Sequence, residues 1–402
     1  MKKLYSVIVV IFLAGLCLSC GPEIAEDDDR FKFTPNADNT SYSVRPGTAR
    51  SGAVVIPDSY NGKPVTMIES FAFMDCTGLT SVTIPASVVA LAISPFSGCT
   101  NLASITVDEN NPEFASEGGI LYNKTKTSIE FVPQGISGAI TLPDSLTSIA
   151  RTAFYECTRL TSVSIPAGVT SIGELAFHHC SALNDITVDA HNQYYTSEGG
   201  IAYNKAKTAI VAVPGGISGN ITLPGSLTSI GNNAFTGCAK VTGIEIPAGV
   251  TYIGEGVFAG CSSLTSIEIP AGITSIGGGM FSGCTSLTSV TLPTSVTWIA
   301  DMVFRNCSSL TGITLPTGLT RIDNQVFTGC ASLASITIPP SVTRMGSMLF
   351  SDWTESQTVY VPFANQEEMD AAWGMRWRRW QPDLMYYWVD HKATVVYQSE
   401  SL

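Results

Sequence analysis

The chain repeats itself every 23 residues, and that spacing constrains the fold more than any other property. A hydrophobe-Pro dipeptide recurs at Ile246-Pro247, Ile269-Pro270, Leu292-Pro293, Leu315-Pro316, Ile338-Pro339 and Val361-Pro362. A Phe-x-x-Cys-x-x-hydrophobe unit travels with it, as in Phe258/Cys261/Leu264, Phe281/Cys284/Leu287 and Phe304/Cys307/Leu310. The same unit sits earlier at Phe73/Cys76/Leu79 and Phe154/Cys157/Leu160. A fixed period of this length means a solenoid, in which each unit buries its apolar face against its neighbours. Such a stack has no single-core size limit, so 402 residues need not divide into two or three globular domains.

The local physics of one unit follows from its pattern. In Ile267-Glu268-Ile269-Pro270 the two isoleucines share one face of a strand and Glu268 points outward. Pro270 has no N–H for a ladder and ends the pairing. Ile273 and Ile276 turn the chain back along the core, and the three-residue spacing of Phe281 and Cys284 predicts a short, tight helical turn. Stacked units place their strands side by side as a parallel sheet, about 4.8 Å apart. The markers from Ile56 to Val361 count about 13 coils.

Two coils are longer. Val107 to Leu142 and Val188 to Leu223 each span 35 residues. Both hold Ser-Glu-Gly-Gly-Ile (Ser116 to Ile120, Ser197 to Ile201) followed by Tyr-Asn-Lys (Tyr122 to Lys124, Tyr203 to Lys205). Each insert reads as a small hairpin added to a coil, with the paired glycines at positive φ in its bend.

The ends read differently. Lys2 and Lys3, the apolar run Leu4 to Leu18 and Leu18-Ser19-Cys20 form a signal peptide over residues 1–19. Residues 20–40, with Glu26-Asp27-Asp28-Asp29, read as an acidic flexible tether. Residues 41–70 read as N-terminal cap strands, 71–362 as the solenoid and 363–402 as a C-terminal cap. Met369, Trp373, Trp377 and Trp380 follow helical spacing and are placed to cover the last open layer. Met385 to Val389 and Ala393 to Tyr397 read as an added hairpin.

The unit Cys-x-x-Leu-x-x-Ile-x-Ile-Pro-x-x-Val-x-x-Ile-x-x-x-x-Phe-x-x-Cys resembles the leucine-rich repeat of BspA-like surface proteins. The insert Gly-Gly-Ile-(Leu/Ala)-Tyr-Asn-Lys and the closing Val359-Tyr360-Val361-Pro362 with Trp373 resemble the same family. The resemblance implies a curved leucine-rich-repeat solenoid, with the parallel sheet on its concave face and short helical turns or loops opposite. It also implies an adhesin or protein-binding role. Cys20-Gly21 resembles the lipidation site of a bacterial lipoprotein, and the acidic run resembles the export signal of Bacteroidota lipoproteins. These likenesses imply that Cys20 carries a lipid anchor in the outer membrane, facing the cell exterior, with the periplasmic face as the alternative.

A net charge of −12 argues against a nucleic-acid partner. The nine in-phase cysteines read as an inert buried thiol ladder. Parallel side chains keep their Cβ atoms about 4.8 Å apart, wider than the roughly 3.8 Å of a disulfide. No Cys spacing suits a metal site, and no nucleophile with an ordered base emerges, so neither cofactor nor enzymatic activity is expected. His178-His179 reads as a polar turn whose adjacent side chains diverge.

Two outward rows remain. One runs along the strands and includes Thr83, Thr106, Ser164 and Thr187, with an acidic step at Glu245 and Glu268. The other occupies the position before the second inward isoleucine: Ser171 and Ser229 early, then Tyr252, Ser275, Trp298, Arg321 and Arg344. Tyr, Trp and Arg dominate interface hot spots, and a repeat otherwise filled with Ser offers no packing reason for them. The expected function is non-enzymatic recognition of a protein on a host or neighbouring cell, through the concave or flank face. Sugar stacking on Tyr252 and Trp298 is the first alternative and a passive spacer the second.

Overall fold

In the computed structural model, which describes residues 29–373 and 393–398, the sequence period becomes a spatial one. One face of each coil is a strand in a parallel sheet. Ser266–Glu268 lies beside Ser289–Thr291 with Ile267 opposite Val290 and Glu268 opposite Thr291. These strands run in sets of three, three, five and three, one per coil, giving fourteen coils among the described residues. The coil beyond the expected thirteen is Thr394–Tyr397. It pairs in parallel with Thr358–Val361, while Met385 to Val389, the other arm of the expected hairpin, lies outside the described residues.

The second face carries two-residue strands. Ser275–Ile276, Trp298–Ile299, Arg321–Ile322 and Arg344–Met345 form one four-stranded parallel sheet. Between the faces lie the expected core residues: Ile267, Ile269, Ile273, Ile276, Phe281, Cys284 and Leu287 are all buried. The phenylalanines line up as a spine. Ring centroids are 5.6, 5.5, 5.7 and 6.0 Å apart along Phe258, Phe281, Phe304, Phe327 and Phe350. Threonines tie coil to coil on the surface, as where Thr265 Oγ1 donates to the Thr242 carbonyl at 3.1 Å and Thr288 Oγ1 to that of Thr265 at 3.0 Å.

The third face corrects the helical expectation. Gly279 and Gly283, two residues either side of Phe281, have φ of 61° and 75°. Left-handed residues four apart in the turn break any helix. Alternate amides then go two ways. Met280, Ser282 and Cys284 donate within the turn, to Gly277, Gly279 and Phe281. Gly279, Phe281 and Gly283 donate forward to Asp301, Val303 and Arg305 of the next coil, at 2.8–2.9 Å. The six amides from Gly279 to Cys284 thus all find acceptors without a helix.

The cysteines stack along this face, free and buried. Each thiol from Cys261 to Cys330 donates to the phenylalanine carbonyl one coil back; for Cys284 the acceptor is Phe258, 3.1 Å away. At the end of the row Trp353 takes the cysteine's place, and its indole N–H makes the same bond to Phe327 at 2.9 Å. Burial pushes the Cys261 and Cys330 thiols up to about 12, so they stay protonated.

Each insert is a three-stranded antiparallel meander rather than a simple hairpin: Phe114–Glu117, Ile120–Asn123 and Ile129–Phe131 in the first. Gly118 and Gly119 take φ of 57° and 82°, the two positive values of a tight hairpin bend. The middle strand divides the core: Leu121 packs toward the N-terminal coils, Ile120 and Tyr122 toward the C-terminal ones. A buried asparagine anchors each insert. Asn192 Nδ2 donates to the Pro166 and Val169 carbonyls at 3.1 and 2.9 Å, and Oδ1 accepts from the Tyr194 and Tyr195 amides.

At the N-terminus ordered structure begins earlier than expected. Phe31–Pro35, placed in the tether by sequence, is a strand antiparallel to Tyr42–Pro46, and Phe31 is buried. At the other end Met369 and Trp373 of the helix Gln366–Trp373 close the core, with the Trp373 indole donating to Val342 at 2.8 Å. Trp377, Trp380, Met385 to Val389, the signal segment and Cys20 lie outside the described residues.

Candidate functional site

The outward row before the inward isoleucine is real. Ser229 lies opposite Tyr252, Ser275 opposite Trp298, Trp298 opposite Arg321, and Arg321 opposite Arg344. In a two-residue strand one side chain must face in and the other out. Ile253, Ile276, Ile299 and Ile322 are buried, so their predecessors face solvent. Tyr252 is 54% exposed and Trp298 38%. Thr297, Thr320 and Thr343 pin this edge by donating from Oγ1 to the threonine carbonyl one coil back.

Trp298 and Arg321 are joined by a residue that sequence reasoning missed. The Arg321 guanidinium carbon lies 4.9 Å from the Trp298 ring centroid. Asp323 accepts from both, at 2.8 Å from Trp298 Nε1 and 2.6 Å from Arg321 Nε. Its side chain is only 15% exposed, and its bond raises the Arg321 pKa further. A signal for it existed: the neighbouring coils hold Gly231, Gly254, Gly277, Ala300 and Gly346 at this position. Tyr252 has a weaker tie, its hydroxyl 3.4 Å from Asn232 Oδ1.

The acidic step does not join this cluster. Glu245 and Glu268 belong to the five-stranded sheet of the first face, whereas Trp298, Arg321 and Arg344 belong to the four-stranded sheet of the second. Glu245 is already engaged, accepting from Asn220 Nδ2 at 2.8 Å and Thr222 Oγ1 at 2.9 Å. Glu268 is exposed and makes no side-chain hydrogen bond among the described residues.

His178 and His179 also differ from expectation. Their rings do not diverge but lie 4.1 Å apart, because His179 takes a φ of 60° and swings back beside its neighbour. Burial and the adjacent His179 lower the His178 pKa. Among the described residues no group of three His, Cys, Asp or Glu side chains is placed to hold a metal ion. None of their helices is long and apolar enough to cross a membrane.

The sequence profile of the BspA type leucine rich repeat region matches residues 54–136, 124–206 and 228–358, in six copies. The fold is shared with a leucine rich cell surface protein from Faecalibacterium prausnitzii, 23% identical with a TM-score of 0.57, covering 87% of this chain and 98% of that one. A leucine-rich repeat protein from Eubacterium ventriosum is also 23% identical with a TM-score of 0.55, covering 81% and 93%. No curated protein matches the sequence.

Proposed function

Because the chain belongs to the BspA type leucine-rich-repeat family, we propose that it is a non-enzymatic binding protein of the cell surface. In this reading it recognises a macromolecular partner, a protein, through the flank strip of Tyr252, Trp298, Arg321 and Arg344. Cys20 carries the lipid that holds it to the outer membrane, and the exposed acidic side chain of Glu268 lies outside the strip. The observation that carries the reading is the Trp298–Arg321–Asp323 cluster. An exposed indole and a guanidinium are held in one geometry before any partner arrives, so little side-chain freedom remains to be lost on binding. Nothing in the packing of the coils requires it, since Ser and Gly serve at the same positions elsewhere.

The test replaces Tyr252, Trp298, Arg321 and Arg344 by Ser and Asp323 by Gly. Asp323 must change as well, because removing both of its donors would leave a largely covered carboxylate unpaired. Binding to surface proteins of host or neighbouring cells is then compared with that of the unaltered chain. Loss of binding with the thermal transition retained supports the strip; unchanged binding removes it. A glycan array separates the sugar-stacking alternative, which the structure makes less favourable because Arg321 already covers the Trp298 ring.

A further inference from the structure

Each insert interrupts the hydrogen-bond ladder of the turn face. At seven coil interfaces three amides of one turn donate to three carbonyls of the next, as in Phe71, Phe73 and Asp75 to Ile93, Pro95 and Ser97. The 35-residue coils have no Phe-x-x-Cys turn, so the rung is missing twice. In the first gap the amides of Ser94, Phe96 and Gly98 have no acceptor among the described residues. Across the gap, the carbonyls of Ala153 and Tyr155 accept from no described donor, and that of Arg151 only from the Thr152 hydroxyl. The second gap repeats this with the amides of Leu175, Phe177 and His179 facing the carbonyls of Asn232, Ala234 and Thr236.

Each gap is a cleft. The first, of about 430 Å³, runs between Phe96 and Ala153 over a floor of Ile129, Phe131 and Val132. The second, of about 420 Å³, runs between Phe177 and Ala234 over Ile210, Val211 and Ala212. One missing rung leaves walls two coil spacings apart, about 9.6 Å, which is room for one polypeptide backbone at ladder distance from both.

We propose that the two clefts are peptide-binding slots, each taking one polypeptide segment of a partner protein as the missing rung. Its carbonyls accept from the three amides of one wall, its amides donate to the three carbonyls of the other, and its apolar side chains rest on the aliphatic floor. All donors stand on one wall and all acceptors on the other, which fixes which edge of the segment faces each wall. This is strand addition transposed to a turn ladder, with the affinity coming from the main chain. A second copy of this chain cannot supply the segment from an interior turn, since those turns already use both edges in their own ladders. The slots are separate from the flank strip and stand or fall independently of it.

The probe is a synthetic peptide copying Gly277–Leu287, the turn that fills this place in a regular coil, with Ser for Cys284 and a fluorescent label. It is titrated into the full-length chain by anisotropy, and hydrogen exchange is followed with and without it. The expected result is saturable binding at two sites, with slowed exchange at residues 94–98 and 175–179. N-methylation at the amides corresponding to Gly279, Phe281 and Gly283 removes three donors and should weaken binding at least about tenfold. A212W, which fills the floor of the second slot, should leave one site. Absence of saturable binding overturns the proposal, as does protection elsewhere or equal affinity of the N-methylated peptide.

Discussion

The cysteine row offers the sharpest test of how the coils are held together. Cys284 is fully buried and its thiol donates to the Phe258 carbonyl at 3.1 Å. If that bond matters, C284S and C284A should fall in a definite order. Alanine removes the sulfur, about 1 kcal/mol of lost apolar burial with its residual cavity, and the donor, about another 1 kcal/mol. The carbonyl keeps its bond from the Cys261 amide at 3.1 Å, which limits the second loss. C284A should therefore cost about 2 kcal/mol. Serine loses the sulfur but keeps a donor, and should cost about 1 kcal/mol. If the thiol were an apolar filler, serine would instead bury an unneeded hydroxyl and cost about 1–3 kcal/mol, more than alanine. Urea unfolding followed by circular dichroism gives the order from the midpoints, provided the denaturant slope is unchanged. Alanine more stable than serine would refute the reasoning.

Other consequences are equally open to measurement. Thiols held up to about 12 in the folded chain, against an ordinary value of 9.0, keep their full stabilising effect below about pH 9. That effect should drain away as pH rises from about 9 toward 12, visible as a falling unfolding midpoint that is less steep in cysteine-to-alanine variants. Thr152 is a β-branched residue at a φ of 58°, where two other coils carry Gly256 and Gly279; T152G should stabilise by about 0.5–1 kcal/mol and G279T destabilise by about 1–2 kcal/mol in the same urea assay. N192A strips partners from two buried carbonyls and two amides and should cost about 3 kcal/mol or more, with faster hydrogen exchange across Tyr194 to Asn204. D323G should leave folding intact while loosening Trp298 and Arg321, read as a loss of partner affinity with an unchanged thermal midpoint.

The architecture was legible because a solenoid interacts chiefly with its own next turn. Once positions 23 residues apart are neighbours, the pattern of Phe281, Cys284 and Ile276 dictates which side chains stack, and the flank row from Tyr252 to Arg344 follows from strand alternation. Three things were beyond that pattern. The turn is not helical, because the sign of φ at Met302, Asn306 or Glu156 is imposed by bonding to the adjacent coil and not by residue type. Asp323 reaches Trp298 across 25 residues of chain, a meeting set by rotamers in three dimensions. The clefts arise from a rung that the inserts leave out, and amides at Phe96 and Phe177 without an acceptor among the described residues appear only when the next coil is in place to fail them. Sequence alone determined that the coils stack and which residues line the spine, since burial of a repeated apolar face has one economical solution. Tertiary structure decided where hydrogen bonds are completed and where they are left open, because that depends on the orientation of peptide planes in neighbouring coils.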